Sequence, residues 1–597
     1  MSKLRCLSLG LVLLALGPVA CKKTVTAPRV EGLQFTPPEK NHQALAATVS
    51  MRSPEGLVAR AADVSAVLGL PTTAADIRTM VLARNNVPAE QVEQLDLSKP
   101  VALAFVARDT KGPKGDPHVA IVVSARNAEA ATKFVASLGT ELSRKENARE
   151  IKRATGETMW IVVRAETLVL AETLEGLVAA GGHAIGARDS AKEDLKVSFF
   201  PEGFAAVEQV ELKTMMESLR KSFVEGAVAD ASVKGGNPEA TRQYMDSTFG
   251  VYSDIVLDTR AADLVLTVDD RDGVRLQARI HAKKGSPLEK RVAVREPATL
   301  DPAVASGPPP AMIGAFNLSP YVIDTYVTAF VNIAKNANLK EIPSEKLVRE
   351  VFNSLPTTQS FRMHNDGNRP SMLLIGQKKG LKAEPTFKIM NEFFSSGFVD
   401  ALIKSGGATD VPTASWKSKD TSALFSLTYP KQPKTEMGRT INTMVSTIFG
   451  EPRISIAYDI RDETMIMSNE PGASARIEKA RDSRSAELSP EMKELVDETR
   501  GMEGFLSLDI LALVKLGASA ASAVEPSAGQ VGAMMNFIPG LDKLRVPIIF
   551  GYRGGEALFV DMHIPMRTMR SVGSILGPLR GMGLGGGSPG GALEPGP

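Results

Sequence analysis

Six histidines, His42, His118, His183, His281, His364 and His563, are the first residues to weigh for metal or acid–base chemistry. None lies at metal-ligand spacing from another and no HExxH occurs, so a helix-borne zinc site is not encoded. His281 and His563 fall at equivalent places in two similar hairpin patterns, where a strand histidine at a sheet edge is the expected reading. "VDDRDG" carries carboxylates at calcium-loop positions but lacks the later ligands and the bidentate Glu, and it stands between two strand patterns, which makes it a turn. Ser218 and Lys221 form an SxxK, yet no SDN or KTG follows and both fall on the polar side of an amphipathic run. No GxSxG elbow occurs, and no phosphate-loop glycine pattern follows a strand and opens a helix. The sequence therefore nominates no catalytic, cofactor-binding or metal-binding residue, and the expectation is a protein that is not an enzyme and carries no cofactor.

The sharpest chemical signal is a thiol. The chain begins "MSKLRCLSLGLVLLALGPVACKK": Lys3 and Arg5 give a positive start, Leu7 to Leu16 an apolar stretch too short to span a bilayer, and Gly17, Pro18, Val19 and Ala20 lead to Cys21. This stretch resembles the lipobox signal peptide of bacterial lipoproteins. The resemblance covers the first 21 residues and departs from the family pattern at Pro18, where Leu is usual. It implies that residues 1–20 are removed, that Cys21 becomes the first residue and the lipid attachment site, and that the protein is anchored to a bacterial membrane with its body in the periplasm or cell exterior. The competing reading is ordinary secretion, with cleavage after Gly17 or Ala20 and Cys21 left as an incidental thiol. Cys6 lies in the leader, so a single mature thiol remains, which excludes an intrachain disulfide and a Cys-based zinc site. Residues 21–42 are polar and proline-bearing, a flexible tether with a reach on the order of 25 Å.

Positioning elements follow from the remaining chain. A length of 597 residues exceeds what one core usually serves, so at least two folded units are expected. Lys and Arg number 70 against 68 Asp and Glu, interspersed without a basic stripe, which gives nucleic-acid binding no electrostatic support. Strand–turn–strand patterns recur: "VALAFVARDTKGPKGDPHVAIVVSAR", "ADLVLTVDDRDGVRLQARIHAK", "SFRMHNDGNRPSMLLIGQ", "RISIAYDIRDETMIMSN" and "VPIIFGYRGGEALFVDMHIP". Between them lie amphipathic helices, including "NAEAATKFVASLGTELSR" with a candidate cap at Asn127, "PYVIDTYVTAFVNIAKNA", and "ELKTMMESLRKSFVEG" with Leu212, Met215, Met216, Leu219 and Phe223 on one stripe. The expected class is α+β: antiparallel hairpins covered by helices.

The units recur in order, which suggests two related halves arising from a degenerate internal duplication; chance similarity of amphipathic elements is the alternative. "MWIVVRAETLVLAETLEGLVAA" aligns with "ISIAYDIRDETMIMSNEPGASARI", Glu166-Thr167 against Glu463-Thr464. Gly203-Phe204 is set against Gly504-Phe505, and the Asp272-Gly273 hairpin against Gly554-Gly555, with insertions mainly between about 400 and 450. The expected layout is a first domain over 43–294, a Pro-rich linker at 295–312, a second domain over 313–580 and a disordered Gly/Pro tail at 581–597. Two stretches rich in Met, one around Met534, Met535, Phe537 and Ile538 and one from Arg567 to Arg580, could line a hydrophobic ligand groove or lie against the membrane surface, with ordinary core or a covering helix as the plainer reading. The overall pattern is similar to large bacterial envelope lipoproteins without an assigned activity. That resemblance implies a binding or scaffolding role whose partners are the membrane, through the anchor, and a hydrophobic ligand or an envelope protein. A periplasmic carrier of hydrophobic molecules and a hydrolase with dispersed catalytic groups are the alternatives.

Overall fold

The structure is a computed structural model that describes residues 45–581 except 71, 85–87, 108–116, 154, 209, 234–237, 294–295, 308, most of 319–343, 367–368, 397–409, 411, 484–486, 523–540 and 542–543. Cys21, the tether, the tail and the Met534–Ile538 stretch lie outside the described residues. Helices and antiparallel strands are mixed throughout, as the α+β reading expects.

By spatial clustering the chain divides into two units. Unit 1 comprises residues up to 212 together with 260–280 and 563 onward; unit 2 comprises 213–259 and 281–562. In unit 1 the strands are β1 (Leu45–Met51), β2 (Val101–Val106), β3 (His118–Ser124), β4 (Gly139–Lys145), β5 (Ala148–Arg153), β6 (Thr158–Arg164), β7 (Thr167–Ala171), β8 (Leu195–Phe199) and β9 (Thr259–Asp269), followed by β10 (Gly273–Ala282). Every pairing is antiparallel and the order across the sheet is β9-β8-β1-β2-β3-β7-β6-β5-β4. Unit 2 contains β11 (Met312–Asn317), β12 (Thr358–Asp366), β13 (Arg369–Gln377), β14 (Thr413–Lys419), β15 (Ser422–Thr428), β16 (Arg453–Arg461), β17 (Thr464–Asn469), β18 (Gly504–Asp509), β19 (Pro547–Arg553) and most of β20 (Leu558–Pro565). Its order is β19-β18-β11-β12-β13-β17-β16-β15-β14, the unit 1 order with ten added to each strand number.

Both sheets are apolar on two faces, because side chains alternate across a strand. Along β7, Val169 and Ala171 join one core with Leu174, Leu177 and Ala180 of the helix Leu174–Asp189. Leu168 and Leu170 join another with Phe134 and Val135 of the helix Ala128–Leu138. That helix begins where expected, its Ala130 amide hydrogen-bonded to the Asn127 side chain at 2.8 Å. Unit 2 repeats the arrangement: Ile375 and Ile466 pack with Ile477 and Ala480 of the helix Ala473–Asp482, while Met465 on the opposite face packs with Phe387 and Met390 of the helix Ala383–Ser395. Here the β15–β16 connection holds an extra helix, Glu436–Phe449, where β5 and β6 of unit 1 are joined by a short turn.

Several expectations require correction. Gly203-Phe204 and Gly504-Phe505 are not equivalent: Gly203 lies in the helix Pro201–Val207, where a Cβ would fall 1.9 Å from the Leu45 carbonyl oxygen, whereas Gly504 opens β18. The counterpart of β18 is β8, and the shared Gly-Phe pair is local coincidence. Residues 295–312 lie inside unit 2, where Asp301 caps the helix Pro302–Ala305 and Ala303 and Val304 are buried in the core. The stripe on the helix Leu212–Val233 is covered only in part: Leu212 and Met216 are buried, but Leu219 and Phe223 are 51% and 53% exposed.

Candidate functional site

The chemistry-bearing residues singled out by type and spacing do not converge. Ser218 and Lys221 are both exposed on the helix Leu212–Val233, in keeping with a solvated face. The "VDDRDG" segment is a turn in which the Asp269 carboxylate accepts the amides of Arg271 and Asp272 at 2.8 and 3.0 Å, bonds that hold its pKa below the usual value. His118 opens β3, His183 lies in the helix Leu174–Asp189, and His42 is outside the described residues. His563 is buried in unit 1 with Nε2 2.8 Å from the Asp272 carbonyl oxygen. Met566 and Met569 are core residues of the helix Met566–Gly581. Among the described residues no three His, Cys, Asp or Glu side chains group as metal ligands would, and no helix is long and apolar enough to cross a membrane. A surface depression of about 520 Å³ on unit 1 is lined mainly by polar residues, among them Arg78, Glu93, Arg126, Asn127, Glu129 and Lys133, with charges of both signs.

The polar feature that stands apart is in unit 2, on the face of β12, β13 and β17 covered by the helices Pro302–Ala305 and Ala473–Asp482. Ser360, Arg362, His364 and Asp366 alternate along one face of β12. Across the ladder Arg362 stands opposite Leu373, His364 opposite Ser371, and Leu373 opposite Ser468. Arg362 is 3% exposed and Ser371 1%. The guanidinium donates through Nη1 to the Val304 carbonyl at 3.2 Å, while Nε and Nη2 are buried without a partner. Ser371 Oγ and His364 Nδ1 are likewise buried and unpartnered. The chain folds tightly over the guanidinium because Gly307 has φ of +98° and no side chain; a Cβ there would lie 3.2 Å from Nη1.

Beside this group Ser468 donates to the Met372 carbonyl and accepts from Arg476 Nε, each at 2.8 Å. Arg476 also donates to the carbonyls of Asn469 and Pro471. Asn469 closes the margin, accepting from the Met372 amide at 2.6 Å and donating to Pro370 O at 2.8 Å. Burial lowers the Arg362 pKa to about 10, which leaves it charged at neutral pH. The His364 pKa is lowered first by burial and then by Arg362, with Arg476 and Lys479 acting in the same direction and Asp366 opposing. The imidazole is therefore neutral at pH 7.

Two buried carboxylates among the described residues, Asp194 and Asp459, are by contrast compensated. Asp194, 2% exposed in unit 1, accepts from Arg52 at 2.8 Å, from Arg60 and from the Val268 amide at 2.7 Å. Asp459, 2% exposed in unit 2, accepts from Arg461 at 3.1 Å and from Arg481. Arg362 has no carboxylate partner among the described residues. His364 and Ser371 face one another, but no hydrogen bond joins them and the hydroxyl is shut from solvent, so they do not form a nucleophile–base pair.

Reading the sequence did not single out Arg362, Ser371, Ser468 or Arg476. The only signal was the polar alternation in "SFRMHND", and its apolar members Phe361 and Met363 pointed to the opposite face as the buried one. Compared with protein-family models, with curated proteins and with solved structures, the chain has no match. The interpretation of this cell therefore rests on its own geometry.

Proposed function

We propose that this chain is a lipid-anchored lipoprotein of the bacterial envelope with a non-enzymatic binding or scaffolding role, its α+β body built by internal duplication. Anchoring is supported by Cys21, which stands where the apolar leader ends and is the sole thiol left once residues 1–20 are removed. Duplication is supported by the common strand order of the two units and by one shared register: Thr167 pairs with Arg164 and Ser124, and Thr464 pairs with Arg461 and Gln377.

The observation that carries the binding role is a difference in polarity between the two units on this face of the sheet. Counting from Thr167 and Thr464, Ala104 is the counterpart of Arg362, Val106 of His364 and Ala171 of Ser468. A fold that closes with alanine and valine has no structural need for a buried arginine, so the polar set has another use. In cells, Cys21→Ser is expected to abolish incorporation of a fatty-acid probe and to move the protein from the membrane to the soluble fraction; undiminished labelling would remove the anchor from this reading.

A further inference from the structure

The buried guanidinium is an unfinished electrostatic arrangement. Taking a cation out of water is costly unless an anion and hydrogen-bond acceptors replace the lost hydration, and Arg362 has one carbonyl and nothing else. Its free donors, Nε and one Nη, form an edge of the planar fork that receives two oxygens of a carboxylate or phosphate side by side. Ser371 Oγ and His364 Nδ1 are unpartnered on the same face, one strand across and two residues along. His364 is only partly buried and Asp366 is exposed, so this end of the face leads to solvent. Arg476 and Lys479 lie close enough to depress the His364 pKa, with Asp366 acting against them at the mouth and Glu470 beside Arg476.

We infer that unit 2 binds a small oxyanion group, a carboxylate or a phosphate, between Arg362, His364 and Ser371, with Arg362 as the anchoring fork. Ser371 supplies a hydroxyl donor, and neutral His364 supplies an N–H in one tautomer. Gly307 holds the 304–307 turn over the guanidinium and keeps water from the bond. Unit 1 has Ala104, Val106 and His118 at the positions of Arg362, His364 and Ser371, and so lacks the guanidinium fork. The inference deepens the binding role proposed above but does not rest on the anchor, so a failed Cys21 labelling experiment leaves it standing, and absent anion binding leaves the anchor standing.

The test is thermal unfolding of the purified full chain at pH 7 in rising inorganic phosphate or acetate, against chloride at equal ionic strength. Binding to the folded state alone raises the midpoint with anion concentration. Wild type is expected to respond to one or both anions, a phosphate-only response assigning a phosphoryl group and an acetate-only response a carboxylate. Arg362→Met is expected to weaken the apparent affinity at least tenfold, and His364→Val, which keeps the fork, by a smaller factor. Should Arg362→Met fail to fold, the difference between wild type and His364→Val decides. A wild type that responds to neither anion overturns the inference, as does a midpoint rise of equal size in all three chains, which is the general effect of an excluded salt.

Discussion

At one position of the strand order common to both units, unit 1 places Ala104 and unit 2 places Arg362. Both stand in the second strand of the unit on the face packed against covering helices, and both are 3% exposed or less. Around Ala104 the neighbours are Val106, Ala120 and Ala171 under the helix Leu174–Asp189, whose Leu177 is fully buried. Around Arg362 they are His364, Leu373 and Ser468, with the helix Ala473–Asp482 packed on β17 and the four-residue helix Pro302–Ala305 above β12. A long helix covers the first cell, which is apolar apart from His118, whereas two shorter pieces cover the second, which holds a guanidinium. Sheet order is thus insensitive to the polarity of this cell: backbone pairing and the remaining apolar positions carry the architecture, and the cell is free to specialise.

The largest expected effect comes from forcing unit 1 to resemble unit 2. Ala104→Arg would place a long charged side chain in a closed apolar core with no acceptor, costing on the order of 4 kcal/mol or more in urea unfolding of the full chain. A loss under about 1 kcal/mol would mean that the two cells are alike in openness and would break the contrast. The reverse exchange is smaller and opposite in sign. Arg362→Met removes an uncompensated buried charge while keeping most of its volume, and is expected to raise stability by roughly 1–3 kcal/mol in anion-free buffer; a marked loss would reveal a hidden structural partner for the guanidinium.

The smallest effect is on pH dependence. Because the His364 pKa is depressed in the folded state, the unfolded chain takes up more protons as pH falls through the ordinary histidine range. Its share of stability is therefore complete above about pH 6.5 and is lost on acidification. In His364→Val, urea midpoints measured between pH 7.5 and 5 should fall less steeply than in wild type. An identical slope would show that the imidazole titrates alike in the folded and unfolded chain and that burial does not depress it.

Much of the frame was legible because strand and helix leave short-range periodic signals. The hairpins β2–β3, β9–β10, β12–β13, β16–β17 and β19–β20 all form where alternation and turn residues placed them, and Asn127 caps the helix it was expected to cap. Glu166-Thr167 and Glu463-Thr464 do fall at the same hairpin position in the two units, where the turn fixes register on both sides. It failed at Gly203 and Gly504, where a two-residue match carries no register. Leu219 and Phe223 lie on an apolar stripe yet remain exposed, because periodicity names a face without saying what will cover it.

By itself the sequence determined the alternation of hairpins and helices, which depends on neighbours within a few residues. Tertiary structure alone decided the fate of β12. Alternation in "SFRMHND" assigns Phe361 and Met363 to the core and Arg362 to water, but β12 is an interior strand whose Arg362 face is covered by the helix Pro302–Ala305, so Arg362 is buried more completely than either. Which side of a two-faced strand holds a charge depends on the length and position of helices from residues 302 to 482, and no local pattern encodes that distance.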